Sequence, residues 1–477
     1  MSLEQYKQAG QSHLFQFWKE LSSESQESFL AQLSQYSDPV TLVETVKDAL
    51  KFSASSGLKK VEPLPATSTF STLDDKTDHQ RLQNFEDQGL KLISEGKVGL
   101  ILMAGGQGTR LGSSLPKGCY DIGLPSGNSL FQIQAERLLK ITQLANSKFG
   151  TKAVVPWYIM TSAPTRASTE KFFKDHNHFG LSQDNIVFFN QGTLPCFNET
   201  GENILLESKS SICESPDGNG GLYKAIYDNK LLVDFKTRGI EHIHMYCVDN
   251  VMVKVADPVF IGWSASNDYD IATKVVRKTQ PEESVGLIAL DSETKRPCVI
   301  EYSEISDELA QKRDEDGTLS LKAANIVNHY YKVATLIKEI PSWINSRKVL
   351  PFHIAKKKIA CLDLNSGEFI KPQKPNGIKL EQFIFDVFPS IHLEKFGSLE
   401  VKRAEEFSPL KNAPGSKSDS PETARESYLK LSTKWIKDNG GSLESEDSLV
   451  EVSALTSYNG EGLDFVKGKV FKNGDVV

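Results

Sequence analysis

One stretch constrains this chain more than any other. Lys97-Val98-Gly99-Leu100-Ile101-Leu102 reads as a short buried strand and runs directly into Met103-Ala104-Gly105-Gly106-Gln107-Gly108-Thr109-Arg110-Leu111-Gly112. Pro116-Lys117 follow four residues later, and Ser129 then caps a helical pattern that begins at Leu130. A strand, a glycine-rich turn, two cations and a helix form the opening of an α/β layer suited to a polyphosphate. Glycine lets backbone N–H groups reach anionic oxygens with no Cβ in the way. Arg110 and Lys117 can then set positive charge against the terminal phosphates. Two better-known glycine loops fail on spacing. The lysine follows a proline and precedes Gly118, so there is no Gly-Lys-Ser/Thr. After Gly106-x-Gly108, the third glycine of a dinucleotide fingerprint falls on Leu111, with Gly112 one residue late.

From Lys97 onward, apolar strands alternate with helical patterns. Val154 to Met160, Ile186 to Phe189 and Ile243 to Val248 are strands, and the alternation predicts a mixed, mostly parallel sheet flanked by helices. Before it, residues 1 to about 52 read as amphipathic helices, with Leu14, Phe17, Trp18 and Leu21 on one face and Val43, Val46 and Leu50 on another. Ser53 to Thr72 is rich in Ser, Thr and Pro and reads as a surface linker. Lys411 to Ser420 reads as a flexible loop. Ser420-Pro421-Glu422 then supplies a cap, a first-turn proline and an early carboxylate for a helix that stops at Asn439-Gly440-Gly441. Ser448 to Ser453 alternates like a strand. The expected organisation is an N-terminal helical segment with linker over 1–95, a catalytic α/β domain over 96–388, and a small β-rich C-terminal domain over 389–477.

Composition excludes more than it selects. A net charge of -7 over 477 residues argues against a nucleic-acid surface. The six cysteines include no CxxC pair, so free thiols in a reducing compartment are expected. The N-terminus lacks the apolar core of a signal peptide and no run approaches 18 apolar residues, so a cytoplasmic protein without membrane partners is expected. His176-x-His178 and His242-x-His244 lack a third ligand at a recognisable spacing and are read as packing or surface groups.

G-G-x-G-T-R-L-G followed by P-K resembles the signature of the sugar nucleotidyltransferases, specifically the UDP-sugar pyrophosphorylases. The longer wording from Gly105 through Ser126 is similar to the eukaryotic, fungal-like UDP-N-acetylglucosamine pyrophosphorylases. The blocks Phe189–Gly192, Pro216–Tyr223, Tyr246–Asn250, Val299–Glu304, Asn325–Tyr330, Asn376–Glu381 and Phe407–Asn412 agree in order, over roughly residues 95 to 425. This resemblance implies a Rossmann-like, GT-A-like nucleotidyltransferase fold. It also implies a reaction in the cytoplasm: UTP and N-acetylglucosamine 1-phosphate give UDP-N-acetylglucosamine and pyrophosphate, supplying chitin, N-glycan and GPI-anchor synthesis. Mg²⁺ is the implied cofactor, with Mn²⁺ as a substitute, and the implied assembly is a monomer or homodimer.

The same resemblance carries site roles to this chain's own residues. Arg110 and Lys117 match residues holding the β- and γ-phosphates, and Lys379 and Lys411 match lysines near the nucleotide and sugar phosphates. Asp249 ends an apolar run, where ligands of open α/β sheets gather, and a carboxylate there suits Mg²⁺. Met103, Ala104, Gly105, Gly106 and Gln191 match the uridine site, and Gly218 lies against the nucleotide. Asn219 matches the N-acetyl contact; its amide can donate and accept. Glu301, Tyr302 and Asn325 match the set that reads sugar hydroxyls, and Phe383 and Phe385 wall the acetyl pocket. Two positions depart from the family's pattern, Ala324 and Ala163, where glycine is usual; a positive φ at 324 would displace Asn325. The alternatives are an enzyme for N-acetylgalactosamine or glucose 1-phosphate and a catalytically silent UDP-sugar-binding subunit. A nicotinamide oxidoreductase is disfavoured by the misplaced glycine.

Overall fold

The structure is a computed structural model that describes residues 3–36, 38–55, 58–73, 78–301 and 304–477. Two compact units emerge, each built from discontinuous segments: residues 1–57, 191–225 and 341–387 in one, and 58–190, 226–340 and 388–477 in the other.

The larger unit is built on an eleven-stranded sheet. Its main path uses β1 (Thr69–Ser71), β2 (Val98–Met103), β3 (Trp157–Thr161), β4 (Ile186–Asn190), β5 (His242–Cys247), β6 (Ile271–Arg277), β7 (Ala323–Lys332) and β8 (Phe396–Val401). The spatial order is β1-β8-β6-β7-β5-β2-β3-β4. Only β7 runs against its neighbours; every other junction on the path is parallel. Parallel strands covered on both faces must be apolar throughout, and every residue of β2 and β3 is buried. Leu100, Leu102, Trp157 and Ile159 pack with Phe131 and Leu138 of the helix Leu130–Phe149 and with Phe173 of the helix Ala163–Asp175. Ser129 caps the first of these helices as expected, its Oγ accepting from the Gln132 amide at 3.2 Å.

The segment read as a linker contributes strand instead. Val61–Glu62 pairs with Leu290 and Asp291, and Thr69–Ser71 adds the edge strand β1. Phe70 meets Phe85 edge-on at 5.7 Å, so an aromatic side chain with a packing partner outweighs the Ser/Pro-rich composition. Toward the C-terminus the helix Pro421–Asp438 begins with the expected cap, the Thr423 amide donating to Ser420 Oγ at 3.3 Å. Ser448–Ser453 forms no strand. Val450 and Val452 are buried beside Ile436, and the only bridge is Glu451 with Val476, so alternation here reflects packing on a helix rather than a ladder.

In the smaller unit, the helices Ser23–Ser34 and Pro39–Ser55 bury Phe29, Leu33 and Val46 against Phe197, Ile204, Ile378 and Leu380. Leu14 and Phe17 join this core, but residues 12–20 form two short 3₁₀ turns rather than an α-helix. Spacing by three satisfies either geometry. Strand Gly377–Glu381 is central here, pairing with His353–Lys357 on one side and Phe197–Asn198 on the other.

Candidate active site

In the larger unit the glycine-rich loop leaves the C-terminal end of β2, the position where ligands of parallel sheets collect. It folds back on itself: Gly108 N–H donates to the Leu115 carbonyl at 3.1 Å and Lys117 N–H to the Gly106 carbonyl at 3.2 Å. Ser162 Oγ donates to the Gly105 carbonyl at 2.7 Å, and the Ala104 amide to Met160 at 2.8 Å. Met103 and Ala104 are thus buried while Gly105 and Gly106 emerge toward solvent. A Cβ on Gly106 would meet no protein atom within 4 Å, so the chain leaves that space open. Gly118 has the opposite reason for being glycine, since a Cβ there would lie 2.2 Å from the buried Phe131 ring.

Leu410 is the junction that brings together three of the residues expected to handle phosphate. Its amide donates to the Asp249 carbonyl at 2.9 Å and its carbonyl accepts from Lys117 Nζ at 2.9 Å, while the next residue is Lys411. Burial, then the Asp249 carboxylate, pushes the neighbouring Cys247 thiol well up, and the Lys411 and Lys117 charges oppose that rise. Cys119 is also pushed up, to about 12 by burial, so neither cysteine is a ready nucleophile. The carboxylate of Asp249 and the ammonium of Lys411 have no side-chain partner among the described residues. Arg110, on the turn Thr109–Leu111, is exposed and equally unpaired among them.

Asn250 holds this corner in place and is a residue that the sequence reading missed. Its Nδ2 donates to the Glu406 carbonyl at 2.7 Å, and its Oδ1 accepts from the amides of Met252 at 3.1 Å and Ser408 at 3.0 Å. Beneath it, Lys274, with no exposed side-chain surface, bonds both Asp257 and Glu406. Adjacency of Asn250 to Asp249 was the available signal; the partners 156 and 158 residues away were not readable.

Glu301 and Asn325 adjoin the same glycine. The Asn325 amide donates to the Gly286 carbonyl at 2.9 Å, and a Cβ on Gly286 would lie 3.1 Å from Glu301 Oε1. Asn325 Oδ1 accepts from the Val327 amide at 3.0 Å, and Val327 has a φ of +52°. A left-handed β-branched residue costs about 1–3 kcal/mol, a strain of the kind stored at functional sites. Ala324 has no positive φ and sits buried in β7, so alanine there imposes no displacement on Asn325. Ala163 is the first residue of its helix, also without a positive φ. Tyr302 lies outside the described residues.

The smaller unit gathers a second set. A cavity of about 320 Å³ is lined by Ser215, Pro216, Gly218, Asn219, Lys379, Glu381 and Phe383. Gly218 has φ +87° and would drive a Cβ to 2.4 Å from the Gln382 carbonyl oxygen, so only glycine fits. Asn219 Oδ1 accepts from the Ile384 amide at 3.0 Å, and Tyr223 donates to the Ile384 carbonyl at 2.6 Å. One face of the Asn219 amide is therefore spent on the chain itself, leaving its NH₂ as the free donor. Lys379 is half-buried with no hydrogen-bond or ion-pair partner among the described residues. Phe383 and Phe385 lie in a turn after the strand, not in the strand, with ring centroids 5.3 Å apart. Gln191 follows β4 directly and is half-buried. A larger cavity of about 490 Å³ in the larger unit, bounded by Phe70, Arg81, Val275 and Glu400, holds none of these residues, and chemistry rather than size identifies the site.

A family model described as UTP--glucose-1-phosphate uridylyltransferase matches residues 52–440. The chain belongs to that family. Among its uridylyltransferase relatives, a protein named UDP-N-acetylglucosamine pyrophosphorylase from Saccharomyces cerevisiae is 53% identical, with 98% of each chain covered. A human protein named UDP-N-acetylhexosamine pyrophosphorylase-like protein 1 is 41% identical, covering 98% of this chain and 94% of its own. The crystal structure of the uridine diphosphate N-acetylglucosamine pyrophosphorylase from Trypanosoma brucei superimposes with a TM-score of 0.84 at 28% identity, covering 97% of this chain and 94% of that one. The mixed sheet, with one reversed strand on its main path, is thus the uridylyltransferase fold.

Proposed function

We propose that this chain transfers the uridylyl group of UTP to N-acetylglucosamine 1-phosphate, giving UDP-N-acetylglucosamine and pyrophosphate. The observation that carries the reading is the Leu410 junction, which gathers Lys117, Asp249 and Lys411 at the C-terminal edge of the sheet. A phosphate oxygen of the sugar phosphate attacks the α-phosphorus, a new P–O bond forms, and the bond to the bridging oxygen of the β-phosphate breaks. Two anions must meet, so the protein's task is positioning and charge. Lys411 offsets the charge of the incoming phosphate. Lys117, oriented by the Leu410 carbonyl, and Arg110 stabilise the departing pyrophosphate. The open backbone at Gly105 and Gly106 receives the nucleotide, with Met103, Ala104, Gln191, Gly218 and Lys379 assigned to it by family resemblance. Asn219, Phe383 and Phe385 are assigned to the acetamido group, and Glu301, Tyr302 and Asn325 to the hydroxyls.

Among the described residues no three His, Cys, Asp or Glu side chains are arranged to hold a metal. A single unpaired carboxylate, Asp249, fits Mg²⁺, which takes its other ligands from substrate phosphates and water. When bound, the ion would supply charge neutralisation to the phosphates. No helix among the described residues is long and apolar enough to cross a membrane.

The test is pyrophosphate release from UTP and Mg²⁺ with N-acetylglucosamine, N-acetylgalactosamine and glucose 1-phosphates in parallel. Fast release with the first, abolished by EDTA, supports the reading. Release with glucose 1-phosphate alone overturns the assignment of Asn219, and UDP-sugar binding without release with any sugar overturns the enzyme.

A further inference from the structure

Asp386 is bonded in a way that the proposed chemistry does not use. One of its oxygens, Oδ2, accepts from His353 Nε2 at 2.9 Å and from the backbone amide of Phe383 at 3.1 Å. A carboxylate only accepts, so the proton sits on Nε2 of His353. The Asp386 amide donates back to the Phe383 carbonyl at 3.0 Å, closing the turn. The His353 ring lies over the Phe383 ring with centroids 4.2 Å apart and planes at 26°, and Phe52 meets His353 edge-on at 5.4 Å. Phe383 is therefore held at two points, its backbone by Asp386 and its ring by His353. Ile384, the next residue, is fixed by Asn219 and Tyr223. His353 and Asp386 do not line the cavity, yet both contact Phe383, its one aromatic lining residue among the described residues.

We infer that His353 and Asp386 form a positioning pair that fixes Phe383 as the wall of the sugar cavity, and so sets the preference for an acetamido sugar. This inference rests on the proposed function, which places the acetyl group against Phe383. The physical basis is that an aromatic wall discriminates a methyl-bearing substituent only while it stays in van der Waals contact. A freed ring gives up that contact without losing any phosphate ligand. A pair serving stability alone would lower the yield of folded enzyme and leave the ratio of substrates untouched.

The experiment compares kcat/KM for N-acetylglucosamine and glucose 1-phosphates in the wild type, His353→Ala, His353→Phe, Asp386→Ala and Phe383→Ala, with KM for UTP measured in each. Losing the pair is expected to lower the preference for the acetamido sugar about 10-fold, the scale of one apolar group in a pocket, while KM for UTP stays within about 2-fold. His353→Phe, which keeps the stack and loses the bond, is expected to recover part of the preference. If His353→Ala does not fold, Asp386→Ala, which removes the acceptor of both contacts, carries the same test. A wild-type preference in both, with Phe383→Ala shifted, overturns the positioning pair and leaves the Phe383 assignment standing. An unshifted Phe383→Ala overturns that assignment itself, and the inference with it.

Discussion

Acid should weaken this protein through two histidines in the centre of its sheet. His244 on β5 and His329 on β7 are both 0% exposed. Burial, then the Lys274 charge, lowers His244 to about 4, and burial, then His244, lowers His329 to about 3. Each ring bonds through one nitrogen, His244 Nε2 to Asn328 at 2.7 Å and His329 Nδ1 to Tyr331 at 3.0 Å, and the other nitrogen of each is unpartnered. Both folded values lie below the unfolded value near 6.5, so below that pH the unfolded chain binds more protons. The stability is therefore complete above about pH 6.5 and is lost as pH falls toward the folded values. At pH 5 the deficit is about 1.5 pH units for each ring, roughly 2 kcal/mol apiece and about 4 kcal/mol for the pair. That is a large share of the roughly 5–15 kcal/mol that holds a typical native state. The assay is the urea midpoint by tryptophan fluorescence at steps from pH 7.5 to 5.0, in the wild type and in His329→Gln, which cannot take up a proton. The variant should recover about half of the loss contributed by this pair, roughly 2 kcal/mol at pH 5, whatever its stability at pH 7.5. A slope equal to the wild type's would refute the burial argument for His329.

Lys117→Ala should lower kcat at least about 10²-fold, because the lost charge acts on the leaving pyrophosphate; near-normal turnover in the folded variant would remove Lys117 from the mechanism. Asn219→Asp keeps the oxygen that accepts from Ile384 but loses the free NH₂. It should retain the wild-type thermal midpoint while losing about 10-fold or more in preference for the acetamido sugar over glucose 1-phosphate. Asn219→Ala should lose both the preference and about 1–3 kcal/mol of stability, since the Ile384 amide is left without its acceptor. Gly118→Ala should be destabilising by about 1–3 kcal/mol or more, read as a lower thermal midpoint, because the Phe131 ring has no room to retreat.

Local patterns in the sequence sufficed for the strand-to-glycine-loop entry, the capped helices at Ser129 and Ser420, and the parallel α/β layer. Each depends on residues within a few positions of one another, where apolar period and cap chemistry act directly. The same locality explains the misreadings. Residues 53–72 look like a linker by composition but become strand where Phe70 finds Phe85, and Ser448–Ser453 alternates without gaining a ladder partner.

At the site, residue types pointed to phosphate chemistry and the family's wording supplied the roles, but how those residues are held was invisible. Lys117 is oriented by a carbonyl 293 residues away, and Asn250 reaches Glu406 across 156. Asn219 looks like an amide free to donate and accept; its contact with Ile384 removes one of those options. The chain's own order of residues decides which chemistry is available. Only the tertiary structure decides which polar atoms are already engaged, because a hydrogen bond depends on distance in space and carries no trace of the sequence separation it spans.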